Sequence, residues 1–167
     1  GKTVATAKES ETDSPNLLGD GAPIGACEPV KHLNSRISDL GPDSHPVPGD
    51  SVDWLCDTGA GTDIMDEKTA RALGGVIDTR APRHQFQTAI GLCPSVGDVA
   101  VEIPSLGQSG PVTVLNSTPN SLSVGRRCLK HGYRFVWPPY QSPYICLPCG
   151  DQVHLRVRNF VPYFEAD

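Results

Sequence analysis

Apolar residues in this chain come in short runs, and the residues between them are mostly turn formers. Asp53 to Met65 sets the pattern. An apolar run (Trp54, Leu55, Cys56) ends in Asp57-Thr58-Gly59-Ala60, and a second apolar pair (Ile64, Met65) follows. That pattern predicts a short strand bounded by a glycine turn. The strand brings one carboxylate, Asp57, to the end of a buried element. Gly59 lets the backbone fold back closely, and Thr58 sets a small hydroxyl beside the acid.

The same rhythm continues downstream. Asp66 to Leu73 predicts a short helix, with Asp66 and Glu67 suited to its first turn, Ala70 and Leu73 facing inward and Gly74-Gly75 ending it. Val76 to Thr79 reads as a short strand. His84 to Ala89 and Asp98 to Ile103 read as two strands joined by a hairpin over Ile90 to Gly97, whose glycines and proline suit a mobile tip. Pro111 to Leu115 alternates with a period of two, Asn116 to Asn120 is a turn, and Leu122 to Gly125 is a short apolar strand. Arg126 to His131 gives one or two helical turns before Gly132. Tyr133 to Trp137 is a half-buried strand ended by Pro138-Pro139. A last hairpin joins Tyr144–Leu147 to Val153–Val157, and the chain closes on Phe160 to Phe164. Strands at roughly the 8–12-residue spacing of all-β folds, with Gly/Pro turns between them, mean a mostly β chain, closed or sandwiched.

The first 50 residues do not share this rhythm. They hold no aromatic residue, six prolines and scattered single apolars, so they read as an extended, Pro/Gly-rich acidic tail. Only Lys31 to Leu40 suggests a helical turn or two, ending at Gly41-Pro42. With 167 residues in all, there is room for one domain with a real core. The expected division is a tail over 1–50, a β domain over 51–137 and a C-terminal hairpin extension over 138–167.

Charge narrows the function classes. The net charge of −5 argues against a nucleic-acid partner. No run approaches the roughly 18 apolar residues of a membrane span. No basic-then-apolar leader opens the chain and residue 1 is Gly, which suggests a fragment, a processed product or a trimmed piece. Arg126, Arg127, Lys130, Arg134, Arg156 and Arg158 face only Asp151 over their stretch. They read as a solvated basic face or as a docking surface for an acidic partner, with the chain's own tail as one candidate.

The six cysteines assign no chemistry on their own. Cys146-Leu-Pro-Cys149 is a C-x-x-C motif, but no second pair stands at zinc-ribbon spacing and no βαβ pattern surrounds it. A hairpin carrying two incidental or bridged cysteines is the plain reading. His32, His45, His84, His131 and His154 show no metal spacing, so no metal and no cofactor are implied. Asp53 shares a strand face with Asp57 but lies about 13 Å away, so no second acid within the chain is expected to join it.

The order of parts then becomes informative. A strand, Asp57-Thr58-Gly59-Ala60, a hairpin, Val112-Thr113-Val114-Leu115-Asn116-Ser117-Thr118-Pro119, then Leu122-Ser123-Val124-Gly125-Arg126 and a short helix resembles the retropepsins, the aspartic proteases of retroviruses and retrotransposons. The similarity covers roughly Val52 to Trp137, and the C-terminal half looks most like protease segments of retrotransposon polyproteins. The resemblance implies a closed β-barrel with one or two short helices, and Asp57 as catalytic acid with Thr58 and Gly59 setting its geometry. It makes the hairpin around Ile90 to Gly97 a flap over a bound peptide, with Ala60, Ile90, Gly91 and Leu92 binding substrate. The Ser123 to Arg126 segment would pack beneath the catalytic turn. With one Asp-Thr-Gly in the chain, it also implies a homodimer giving two Asp57 carboxylates that share a proton and activate a water.

Three features depart from the retroviral pattern. Gly61-Thr62 follow Ala60 where acidic substrate-binding residues usually stand, the hairpin carries Cys93-Pro94, and residues 138–167 extend beyond the usual last strand. The alternative expectation is a catalytically silent retropepsin-like domain that serves as a structural or docking subunit. Its partners would be other protein subunits, bound through the 1–50 tail and the basic C-terminal face.

Overall fold

The computed structural model describes residues 30–31, 45–80, 83–88 and 91–165. The chain is mostly β. In order, the strands are β1 (Val30–Lys31), β2 (Val47–Pro48), β3 (Trp54–Asp57) and β4 (Ile64–Asp66), and then helix α1 (Glu67–Ala72). There follow β5 (Gln85–Thr88), β6 (Gly91–Pro94), β7 (Gly97–Ile103), β8 (Gln108–Leu115) and β9 (Ser121–Ser123), which leads directly into helix α2 (Val124–His131). The C-terminal part adds β10 (Arg134–Val136), β11 (Tyr144–Cys146), β12 (Gln152–His154), β13 (Arg156–Arg158) and β14 (Val161–Phe164).

The main sheet runs β13-β14-β3-β9-β4-β8-β7-β2, with β1 also paired to β8. Its backbone is the long β7–β8 antiparallel hairpin, turned by a 3-10 segment at Pro104–Leu106 and by Gly107 in the left-handed region. β3 lies parallel to β9, and β4 lies parallel to β8. β3 sits inside the sheet between β14 and β9, and its side chains alternate between a buried and a half-buried face. β10, β11 and β12 form a separate antiparallel sheet, and β5 and β6 a two-stranded ribbon.

The core sits under β3. Trp54 is completely buried, and its indole N–H donates to the Gly49 carbonyl at 2.9 Å, which satisfies its one polar atom. Met65, Leu106, Val114 and Leu122 close around it, and Val47 and Phe164 complete the cluster from the two ends of the described chain.

The helices start where their caps dictate. Asp66 caps α1 by accepting from the Lys68 N–H, and Ser123 caps α2 by accepting from the Arg126 N–H. Gly132, at φ 74°, ends α2 in the left-handed conformation that glycine tolerates best.

Several expectations shift. Val76 to Thr79 forms no strand; only Asp78 makes an isolated bridge, to Asp98. Leu122 to Gly125 is divided, because the Ser123 cap starts the helix at Val124. The Lys31 to Leu40 helical turn lies outside the described residues apart from Lys31, which is in β1. The expected boundaries at 50 and 138 are crossed by pairing: β2 joins β7, β10 pairs with β11, and β14 pairs with β3 at Tyr163↔Leu55 and Phe164↔Trp54. No helix among the described residues is long and apolar enough to cross a membrane.

Candidate functional site

Asp57 owes its position to alternation along β3. Trp54 and Cys56 are buried, while Leu55 and Asp57 lie on the opposite face and are half-buried. The Asp57 Oδ1 accepts the Gly59 N–H at 2.7 Å, so the carboxylate itself shapes the turn that follows it. A Cβ on residue 59 would come within 3.2 Å of that oxygen, which is why the position suits glycine. Thr58 and Gly59 are exposed, and Ala60 is half-buried.

The turn rests on a floor built by β9 and α2. The Ser123 hydroxyl donates to the Ala60 carbonyl at 2.6 Å, and the Ser123 N–H donates to Asp63 Oδ1 at 2.7 Å. Arg126 donates to the Thr62 hydroxyl at 2.9 Å. Arg127 then closes the floor. Its two terminal nitrogens donate to the two Asp63 oxygens at 2.6 and 2.7 Å, and further to the Ser123 carbonyl at 3.0 Å and Gln108 Oε1 at 2.5 Å. The fork-to-fork geometry fixes orientation as well as charge. Nearby, the Tyr133 hydroxyl donates to the Leu106 carbonyl at 2.7 Å.

Burial sets the remaining electrostatics. It pushes the Cys56 thiol up to about 11, against the smaller opposing pull of Arg127. Cys56 therefore stays protonated at neutral pH and is no nucleophile, although it adjoins Asp57. Burial likewise raises the Tyr133 phenol. The Asp98 carboxyl is raised first by burial and also by Asp78, against the pull of His84 and a hydrogen bond from Thr113.

The expected flap differs in outline from its sequence reading. Ile90 to Gly97 is not one loop: β6 pairs with β5 in the register Phe86↔Cys93 and Thr88↔Gly91. The connection at 89–90 lies outside the described residues, and Ile90 with it. His84 and Ser95 close the base, with the Ser95 N–H donating to the His84 carbonyl at 2.8 Å and the His84 N–H to the Ser95 hydroxyl at 2.9 Å. Phe86, Thr88, Gly91 and Cys93 share the half-buried face. Leu92 stands on the other, 67% exposed. Gly91 and Leu92, both expected to bind substrate, are thus on opposite faces of the ribbon.

The structure also divides the basic C-terminal stretch. Arg127 is buried and Arg126 is bonded to the Asp57 turn. Arg156 and Arg158 pair with Glu165 at 3.2 and 3.0 Å, and Arg158 also with Asp53 at 3.6 Å. Of the C-x-x-C pair, Cys149 is disulfide-bonded and Cys146 is a buried free thiol. Among the described residues, no group of three His, Cys, Asp or Glu side chains is placed to hold a metal.

The pairing of Asp63 with Arg127 is what sequence reasoning missed, since Arg127 reads there as part of the basic stretch. The signal was available: Arg127 falls three residues after Val124, on the helix face that carries the buried apolar position.

No protein-family model, no curated protein and no solved structure matches this chain. What the site can do rests on its own residues. A single half-buried carboxylate on a braced glycine turn can exchange a proton with water, and two such carboxylates close together can share one and activate it.

Proposed function

We propose that this chain is a retropepsin-like aspartic endopeptidase domain, with the closed-barrel architecture of that family, that works as a homodimer in which each copy supplies one Asp57. The observation that carries the reading is how the Asp57 turn is built. An Asp-Thr-Gly sequence leaves a buried strand that runs parallel to β9, and Ser123, Arg126 and Arg127 brace the turn from beneath. In this reading the two Asp57 carboxylates hold one proton between them, because like charges at contact cannot both ionise. The ionised one takes a proton from water while the protonated one polarises the scissile carbonyl, and the water oxygen bonds to the carbon as the C=O π pair moves to oxygen. The tetrahedral centre then breaks its C–N bond, the amine leaving with a proton returned by the carboxyl pair. The β5–β6 ribbon serves as the flap, its half-buried Phe86 and Gly91 face turned to the peptide.

The test compares the parent with Asp57→Asn on a mixture of peptides, with cleavage followed by mass spectrometry between pH 4 and pH 7. The parent should cut, with a specific activity that rises with protein concentration as dimers form. The variant should not cut, while its unfolding free energy stays within about 0.5 kcal/mol of the parent's. Equal cutting by both proteins would sink the assignment.

A second reading, the silent docking subunit, draws on one feature of the C-terminal extension. Tyr140 and Phe160 stand almost wholly exposed there, at φ 61° and 65°. A strictly monomeric chain that cuts nothing at any concentration would favour it.

A further inference from the structure

A cleft of about 640 Å³ opens between the end of the β7–β8 hairpin and the turn that joins β11 to β12. That is the size of a ligand site rather than of a packing defect. Glu102, Gln108 and Ser109 line one wall, and Leu147, Asp151 and Val153 line the other. Nothing in the proposed peptidase chemistry uses it.

Three observations define what would fill it. The first is charge. Glu102 and Asp151 are exposed, neither makes an ion pair, and among the described residues no Lys or Arg lines either wall. Asp50, by contrast, is already spent: it accepts the Ser105 N–H at 3.2 Å and the Ser105 hydroxyl at 2.9 Å. The second is an open donor. Gln108 is 5% exposed, and its Oε1 is taken by Arg127, but its Nε2 has no hydrogen-bond partner. The Tyr133 hydroxyl nearby is turned to the Leu106 carbonyl. A buried amide N–H left open is costly, so the site suits a ligand that brings an acceptor. The third is apolar surface. On the wall that carries Asp151, Leu147 is buried and Val153 half-buried. A cation on an aliphatic stem, with a carbonyl oxygen beside it, matches all three, and a Lys or Arg residue within a peptide has that make-up.

We propose that the cleft binds a basic peptide segment. A Lys or Arg stem lies along Leu147 and Val153 with its charge toward Glu102 and Asp151, and a peptide carbonyl accepts from Gln108 Nε2. Arg127 holds the Gln108 side chain in place, so the donor is fixed before the peptide arrives. Asp57 is not among the cleft residues, so this binding holds whether or not the chain cuts peptides.

The experiment uses the full chain carrying Asp57→Asn, so that the probe survives any peptidase activity. The probe is a fluorescein-labelled peptide with one Arg and one Lys among alanines, read by fluorescence anisotropy at low ionic strength. Glu102→Gln/Asp151→Asn should weaken its binding about tenfold. Both side chains are exposed, so this double variant should keep its parent's urea midpoint. Glu67→Gln, which removes a charge from α1, should leave binding unchanged. On binding, amide exchange should slow at Gln108–Gly110 and Leu147–Val153, with Asp57–Met65 unchanged. Equal affinity in the double variant, equal affinity for a probe with norleucine at both basic positions, or protection of Asp57–Met65 in place of the cleft would each overturn the proposal. Competition by spermidine as strong as by the unlabelled peptide would overturn it too, since the cleft would then take any small cation.

Discussion

Arg127 and Asp63 meet in a two-point ion pair inside the protein, at 2.6 and 2.7 Å, with the residues only 2% and 4% exposed. The pair joins the loop after the Asp57 turn to the helix beneath it. Removing the cation alone leaves a buried carboxylate without its partner. Arg127→Met should therefore destabilise the fold by about 3–5 kcal/mol. The double variant Arg127→Met/Asp63→Leu should recover most of that loss, since it removes both charges together. Urea unfolding of the three proteins checks this, and a single variant as stable as the parent would contradict it.

Asp98 gives the fold a pH dependence whose sign follows from its surroundings. Its carboxyl is raised by burial and by Asp78, more than His84 and Thr113 lower it. The folded value lies above the unfolded one. The stability linked to Asp98 is thus fully present below the ordinary value of 3.8 and is lost as pH rises through the folded value. Asp98→Asn removes that loss. Its stability relative to the parent should improve from acid to neutral pH, as read from urea midpoints at both ends. Parallel pH curves for variant and parent would show that Asp98 does not carry the effect.

The thiols should separate by burial. Cys128 is exposed and Cys93 half-buried, while Cys56 and Cys146 are buried and the Cys56 thiol is held near 11. Iodoacetamide at mildly alkaline pH should label Cys128 first and Cys93 next, reaching Cys56 and Cys146 only as the protein unfolds. Peptide mapping over time reads the order directly, and early labelling of Cys56 would be inconsistent with its place on the buried face of β3.

Much of this was legible in the sequence, and the failures share a cause. The Asp57 turn, α1 with its Asp66 cap, β7 and β8 follow from local signals: apolar alternation, a capping acid, glycine at a turn. The seating of β14 beside β3 was not legible, because strand partners are chosen by long-range packing such as Phe164 against Trp54. Arg127 was read as part of a basic surface because an arginine is rarely fully buried unless paired, and its partner Asp63 stands far away in sequence. Strand β6 was missed for a related reason. Cys93-Pro94 looked like loop, yet an edge ribbon tolerates a proline at the end of its strand.

The β13–β14 hairpin turns through Asn159 and Phe160, both at positive φ, 50° and 65°. Two such residues make the tight turn that matches the twist of a hairpin, and Asn-Gly is the pair that adopts it best. Phe160 is a poor fit. Its Cβ is strained in the left-handed region at a cost of about 1–2 kcal/mol, and its ring is 94% exposed, so no burial offsets that strain. Phe160→Gly should therefore stabilise the chain. The expected gain is about 0.5–1 kcal/mol, smaller than the relieved strain because glycine is also freer in the unfolded state. Thermal and urea unfolding of the variant measure it. A loss of stability instead would mean that the ring makes a contact the protein needs, and would turn attention to Phe160 as part of an interface.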